Sequence, residues 1–131
     1  MIQEAYVSFE IAKLLKEKGF DENTLMVYMS YGHLCKCNRY DSIRNSNYND
    51  ITKNYFECTA PTLQMAMKWL REVHKIYIDS SPTFSEVEKT IHFIWQIFDS
   101  NYDVVGDCEI FYDKYETACE AAIKYCLENL I

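Results

Sequence analysis

Cys58 stands directly before Thr59-Ala60-Pro61-Thr62. That run reads as a helix start, because proline is pre-set for the first helical turn and threonine can cap it. A thiol there is the best nucleophile candidate in the chain. Helix N–H groups and the helix dipole lower a thiol pKa, and His74 or His92 could approach as a base. The competing reading is a cysteine simply buried at the end of an apolar strand, and with no base or oxyanion pattern visible no catalytic residue is expected. His33, Cys35 and Cys37 lie two apart, on one face of an extended segment, and soft ligands on one face invite zinc. Successive same-face residues of a strand are about 6.5–7 Å apart, so one ion does not easily collect all three, and no metal is expected. Gly19, Gly32 and Gly106, the only glycines, are far apart, which leaves neither a P-loop nor a dinucleotide fingerprint. No cofactor is expected. No spacing singles out a catalytic pair among the 20 acidic residues.

A binding surface is easier to build than a catalytic one. The helix start at Thr59 to Thr62 offers N–H groups to a small anionic ligand, and Trp69, Arg71, Tyr77 and Trp95 could add stacking and charge around it. Trp69 and Trp95 fit better as core residues joining helix to sheet.

Thirteen basic against 20 acidic residues give a formal net charge of −7, and no basic cluster is dense enough to track phosphates, so non-specific nucleic-acid binding is disfavoured. Lys13, Lys16 and Lys18 alternate with Glu10 and Glu17 as the solvated side of a helix. No apolar run approaches 18 residues and the chain opens on Met1-Ile2-Gln3-Glu4 without an apolar leader, so the expectation is a soluble, cytoplasmic protein, away from the membrane, with its six cysteines reduced.

The elements that must position these residues follow from periodicity. Ser8 caps a helix over roughly 9–18 that ends at Gly19-Phe20. Leu25 to Arg39 reads as a hairpin turning near Tyr31-Gly32. Asp41 to Asn54, rich in Asn, Ser and Asp, reads as a flexible loop at 41–54. A short strand at Tyr55 to Cys58 precedes a helix reaching His74, whose apolar residues spread over roughly 200°, so that it is buried on more than one side. Ile76 to Ile78 is a strand stopped by Ser80-Ser81-Pro82, and Ile91 to Phe98, apolar on both faces, is a central strand. Gly106-Asp107 turns into a strand at Cys108 to Tyr112, and Asp113 to Glu116 resembles a capping box opening the last helix.

The order α-β-β-(β)-α-β-β-β-α places the chain in the α+β class, a mainly antiparallel sheet with three helices packed on it, in one domain over 1–131. Its second half, α-β-β-β-α, has the order of a double-stranded-RNA-binding domain, but Glu116, Glu120 and Glu128 stand where such a domain needs lysine. Ser8-Phe9-Glu10-Ile11-Ala12 and Thr62-Leu63-Gln64-Met65-Ala66 are weakly similar, leaving duplication or two alike helix starts as alternatives.

At Tyr6 to Phe20, Glu57 to Thr62 with Trp69 to His74, and Tyr115 to Ile123, the chain resembles an uncharacterised family of small proteins encoded by gut bacteria and their phages. The resemblance carries no functional residue. It implies a context in which small acidic accessory proteins bind a host protein or sequester a signalling nucleotide. Two functions are therefore expected as alternatives: a non-catalytic protein-interaction module, acting on a host protein or on itself as a homo-oligomer, and a nucleotide-like small-molecule binder.

Overall fold

The structure, a computed structural model, describes residues 1–37, 42–46 and 56–131. Among them are three helices and two three-stranded antiparallel sheets, an α+β fold in the expected order. The elements are α1 (Phe9–Glu17), β1 (Met26–Met29), β2 (Leu34–Lys36), β3 (Phe56–Thr59), α2 (Leu63–His74), β4 (Tyr77–Ser85), β5 (Thr90–Phe98), β6 (Val104–Asp107) and α3 (Tyr115–Asn129). The chain divides into two compact units, Met1–Gln64 and Met65–Ile131.

In the first unit, the Ser8 hydroxyl accepts the N–H of Ile11 at 3.3 Å and opens α1. The helix closes as a Schellman turn: Gly19 takes φ +94°, its N–H reaches the carbonyl of Lys16, and the N–H of Phe20 reaches that of Leu15. Phe20 is thereby driven into the core. The sheet runs β2-β1-β3, and the β1–β2 hairpin turns through Gly32 at φ +87°, where a Cβ would meet the Phe9 ring at 3.2 Å.

Of the loop expected at 41–54, residues 41 and 47–54 lie outside the described residues. Within 42–46 the segment is fastened rather than loose. Ile43 is 1% exposed and packs with Val27 and Phe56, and its N–H and C=O pair with those of Thr24 at 2.8 and 2.7 Å. The Asn45 amide spans two backbone groups: Nδ2 donates to the Phe20 carbonyl at 2.7 Å, and Oδ1 accepts the Thr59 N–H at 2.9 Å. Asparagine, read as a turn former, here substitutes for a strand, because one side-chain amide offers a donor and an acceptor as a peptide does.

In the second unit the sheet runs β4-β5-β6, with β5 central as its two-sided apolarity requires. The order differs from β2-β1-β3, so the likeness of the two helix starts does not extend to the sheets. α3 covers one face: Tyr125 lies on Trp95 with centroids 5.4 Å apart, and Tyr115 meets Phe93 edge-on at 6.1 Å. The apolar stripe of α2 is narrower than expected, since Met65 and Val73 are exposed. α3 begins after Lys114 with no side-chain cap bond, so the capping box does not form.

Two further strand expectations are corrected. β4 continues through Ser80-Ser81-Pro82 to Ser85. It is an edge strand, and Pro82 sits opposite Phe93, whose N–H points the other way, to the Tyr112 carbonyl at 2.7 Å. A directly opposed antiparallel pair shares this orientation, so the N–H that Pro82 lacks would face outward, where none is needed. The last strand is Val104–Asp107 rather than 108–112, with Gly106 inside it instead of in the turn. A Cβ on Gly106 would stand 2.7 Å from Cε1 of Tyr125 and 3.1 Å from Cδ1 of Ile97, so glycine is what lets the Tyr125 ring seat on the sheet.

Two stability changes follow from these contacts. Asn45→Ala leaves two backbone groups without their side-chain partner and should lower the unfolding free energy by about 2–4 kcal/mol in urea denaturation. Gly106→Ala, which must displace Tyr125 or Ile97, should cost about 1–3 kcal/mol by the same measurement.

Candidate functional site

Of the residues singled out in the sequence, Thr59 and Thr62 lie in the first unit and Trp69, Arg71, Tyr77 and Trp95 in the second. In the first unit, three N–H groups ahead of and at the start of α2 are already bonded. Thr59 donates to Asn45, Ala60 to the Met26 carbonyl at 2.9 Å and Leu63 to the Ala5 carbonyl at 2.9 Å, while Pro61 has none. Thr62 pairs with Tyr6 in an isolated bridge. Thr59 is 1% exposed and its hydroxyl lacks a hydrogen bond. In the second unit, Trp69 is buried, edge-on to His74 at 4.7 Å, and Arg71 is exposed on α2. Trp95 is 5% exposed and donates to the Tyr112 hydroxyl at 3.4 Å. The register sets Trp95 opposite Ser80 and Tyr77 opposite Phe98, so Trp95 and Tyr77 lie on opposite faces of one sheet and cannot flank a common ligand.

The cysteines answer the nucleophile question. All six are free thiols. Cys58 is fully buried in β3, and burial pushes its thiol up to about 12 despite the opposing charge of Lys16. Desolvation thus outweighs the helix-start effect expected from sequence, and Cys58 is not an activated nucleophile. Cys126 in α3 is likewise pushed up to about 12 by burial. Cys35 and Cys37 pack beside the Val27–Ile43–Phe56 cluster, and among the described residues no group of three His, Cys, Asp or Glu side chains could hold a metal ion.

What the second unit does assemble is a surface on the sheet face turned away from α3. Register reads it in cross-strand rows. One row is Tyr77, Phe98 and Val104; the next is Asp79, Gln96 and Asp107; then come Ser81 with Ile94, and Thr83 with His92. The first row is apolar and open: Tyr77 is 39% exposed and Val104 is exposed, and Tyr102, 79% exposed, stacks on Phe98 at 4.8 Å and 21°. Tyr77, Phe98, Asp99, Ser100 and Tyr102 line a recess of about 320 Å³. The β5–β6 turn that forms its wall is held by Asp99, whose Oδ1 accepts the N–H groups of Asn101 and Asp103 at 2.9 and 3.1 Å, and it sets Tyr102 at φ +65°. At the far end of the face, His92 lies 2.8 Å from Glu88 and 3.4 Å from Asp113, with Phe111 stacked on its ring.

Charge sharpens the picture. Tyr77 to Asp113 holds eight carboxylates and one basic residue, Lys89, itself 3.5 Å from Glu86. The second unit as a whole has 12 acidic against six basic residues and so carries −6 of the net −7. Of this surface, Tyr77 was singled out in the sequence as a ligand contact and His92 as a possible base. The signal that locates the rest is the two-sided apolarity of β5: with one face under a helix, Phe98 and Ile94 must belong to the other.

No protein-family model, curated protein or solved structure matches this chain. Among the described residues no helix is long and apolar enough to cross a membrane.

The thiols make stability depend on pH. A free thiol titrates near 9.0 and the buried Cys58 and Cys126 near 12, so the folded chain keeps protons that the unfolded chain releases. The stability they contribute is full below pH 9 and is lost as pH rises from 9 towards 12. Urea midpoints should therefore decline above pH 9, and the decline should be shallower in Cys126→Ala than in the parent chain.

Proposed function

We propose that the chain is a non-catalytic protein-interaction module, an accessory protein of the phage or mobile-element kind, and that it works through the β4–β6 face turned away from α3. The observation that carries this reading is the partly exposed row of aromatic and aliphatic side chains set directly beside a row that carries the carboxylates of Asp79 and Asp107. Apolar rings supply contact area, and charge selects the partner and speeds its approach. With eight carboxylates against one lysine over Tyr77 to Asp113, the complementary surface is a basic protein segment. A second copy of the same acidic face is a poor match, which favours an unlike partner such as a host protein over self-association. The phage context is proposed from the resemblance at Tyr6 to Phe20, Glu57 to His74 and Tyr115 to Ile123.

One observation favours the second reading, a small-molecule binder. His74 Nε2 is buried without a hydrogen-bond partner and lines, with Lys75, Ser100 and Asn101 among others, a recess of about 310 Å³.

The two readings separate in solution. A soluble peptide of alternating lysine, arginine and serine should shift backbone amide resonances of β4 to β6, with an affinity that falls as salt is raised. An Asp79→Lys, Asp107→Lys double variant should bind it about tenfold or more weakly. Equal binding by the variant, or no shift in β4 to β6, would count against the interaction module. A retained small mass on the purified chain in native mass spectrometry would support the second reading.

A further inference from the structure

Resting on the interaction-module reading, we infer that the recess between Tyr77, Phe98 and Tyr102 receives an arginine side chain of the basic partner, with its guanidinium laid on the rings and Asp79 as its counter-ion. Three aromatic rings converge there by two different routes. Tyr77 and Phe98 are cross-strand neighbours in β4 and β5, and Tyr102 is brought onto Phe98 by the Asp99-anchored turn. The ring faces carry negative electrostatic potential and attract a cation placed over them. Among the described residues no basic residue lines the recess. Asp79 lies on the same face one row on from Tyr77 and is exposed, about 6.5–7 Å along the strand, so a cation on the rings lies within its reach.

Charge complementarity selects the occupant, and ring geometry selects among cations. A neutral or anionic group gains nothing from Asp79 or from Asp99, which lines the recess. Of the two basic side chains, lysine ends in a compact, strongly hydrated ammonium. Arginine ends in a planar, weakly hydrated guanidinium that stacks flat on an aromatic ring while its edge N–H groups reach a carboxylate. Edge pairing by β4, one other route by which a partner segment could join this sheet, is interrupted at Pro82, which has no outward N–H to offer.

The test uses the full chain and three short peptides alike in length, with arginine, lysine or citrulline alternating with glycine, plus arginine amide alone. Titration followed by amide shifts should show the arginine peptide binding about fivefold or more tightly than the lysine peptide, with the citrulline peptide not binding. The largest shifts should fall at Tyr77, Phe98 and Ser100 to Tyr102. Tyr102→Asn, chosen because asparagine tolerates a positive φ, should reduce arginine-peptide affinity about fivefold or more and erase the preference over lysine. Asp79→Asn should weaken both basic peptides. Citrulline binding as well as arginine, or a preference unchanged in Tyr102→Asn, would overturn the inference. So would arginine amide binding as tightly as the peptide, which would make the ligand a free small cation. Arginine and lysine peptides that bind equally, with shifts at Thr83, His92 and Phe111, would overturn the arginine recess while leaving the interaction module standing. No binding by either basic peptide would overturn both.

Discussion

A β-strand presents alternate side chains to opposite faces, and in β5 that rule decides most of what the second unit is. Trp95 and Ile97 point to one side, where α3 lays Tyr125 on them. Gln96 and Phe98, between and after them, must point to the other. Burying one set obliges the chain to display the next, and a one-residue slip would exchange the two faces entirely. Gly106, opposite Ile97, holds to that register, since a Cβ there would stand 2.7 Å from Cε1 of Tyr125. The covered face and the displayed face are thus one structural decision.

The elements that were legible in the sequence are those whose signal is local. Ser8 and Gly19 bracket α1 because a cap hydroxyl and a left-handed glycine act within one turn of chain. The strand β5 was legible because its nine residues are apolar on both sides. Where reading failed, the deciding partner lay far away along the chain. Pro82 looks like a stop until its neighbour Phe93 is known to bond in the opposite direction. Gly106 looks like a turn until Tyr125 is placed over it. Asn45 looks like loop until Phe20 and Thr59 supply the carbonyl and the N–H that its amide joins. These misreadings share one cause: glycine, proline and asparagine mark backbone irregularity by composition, whereas a long-range contact can make the same residue a fixed part of a sheet or core.

The candidate site was less legible than the fold, for a related reason. Tyr77 was identified, but it was grouped with Trp69, Arg71 and Trp95 by residue type. Register separates Trp95 from Tyr77 by a whole sheet thickness, and the start of α2, attractive as an anion site, uses its N–H groups on Asn45, Met26 and Ala5. Cys58 illustrates the same competition in energetic form. Its place ahead of a helix favours the thiolate, burial disfavours it, and burial wins. Phe98 and Tyr102 stack across a turn closed by the Asp99 side chain together with the backbone bonds of Tyr102 to Asp99 and of Asp99 to Asp103, an arrangement with no sequence signature beyond an aspartate followed by polar residues.

Exposed rings on a small sheet are ordinarily a hazard, since like faces and free edges of separate molecules adhere to each other. In this chain two routes to self-adhesion are opposed by specific features. Pro82 interrupts the outward N–H groups of the edge strand. The carboxylates of Asp79 and Asp107 flank the aromatic row, so two copies of the face meet with like charges opposed, and that juxtaposition is costly at an interface. Acidic residues that merely kept the chain dissolved would serve equally well on α1 or α2. Their concentration between Tyr77 and Asp113 puts them on the same strands and turns as the rings, which is what the proposed recognition of a basic partner requires.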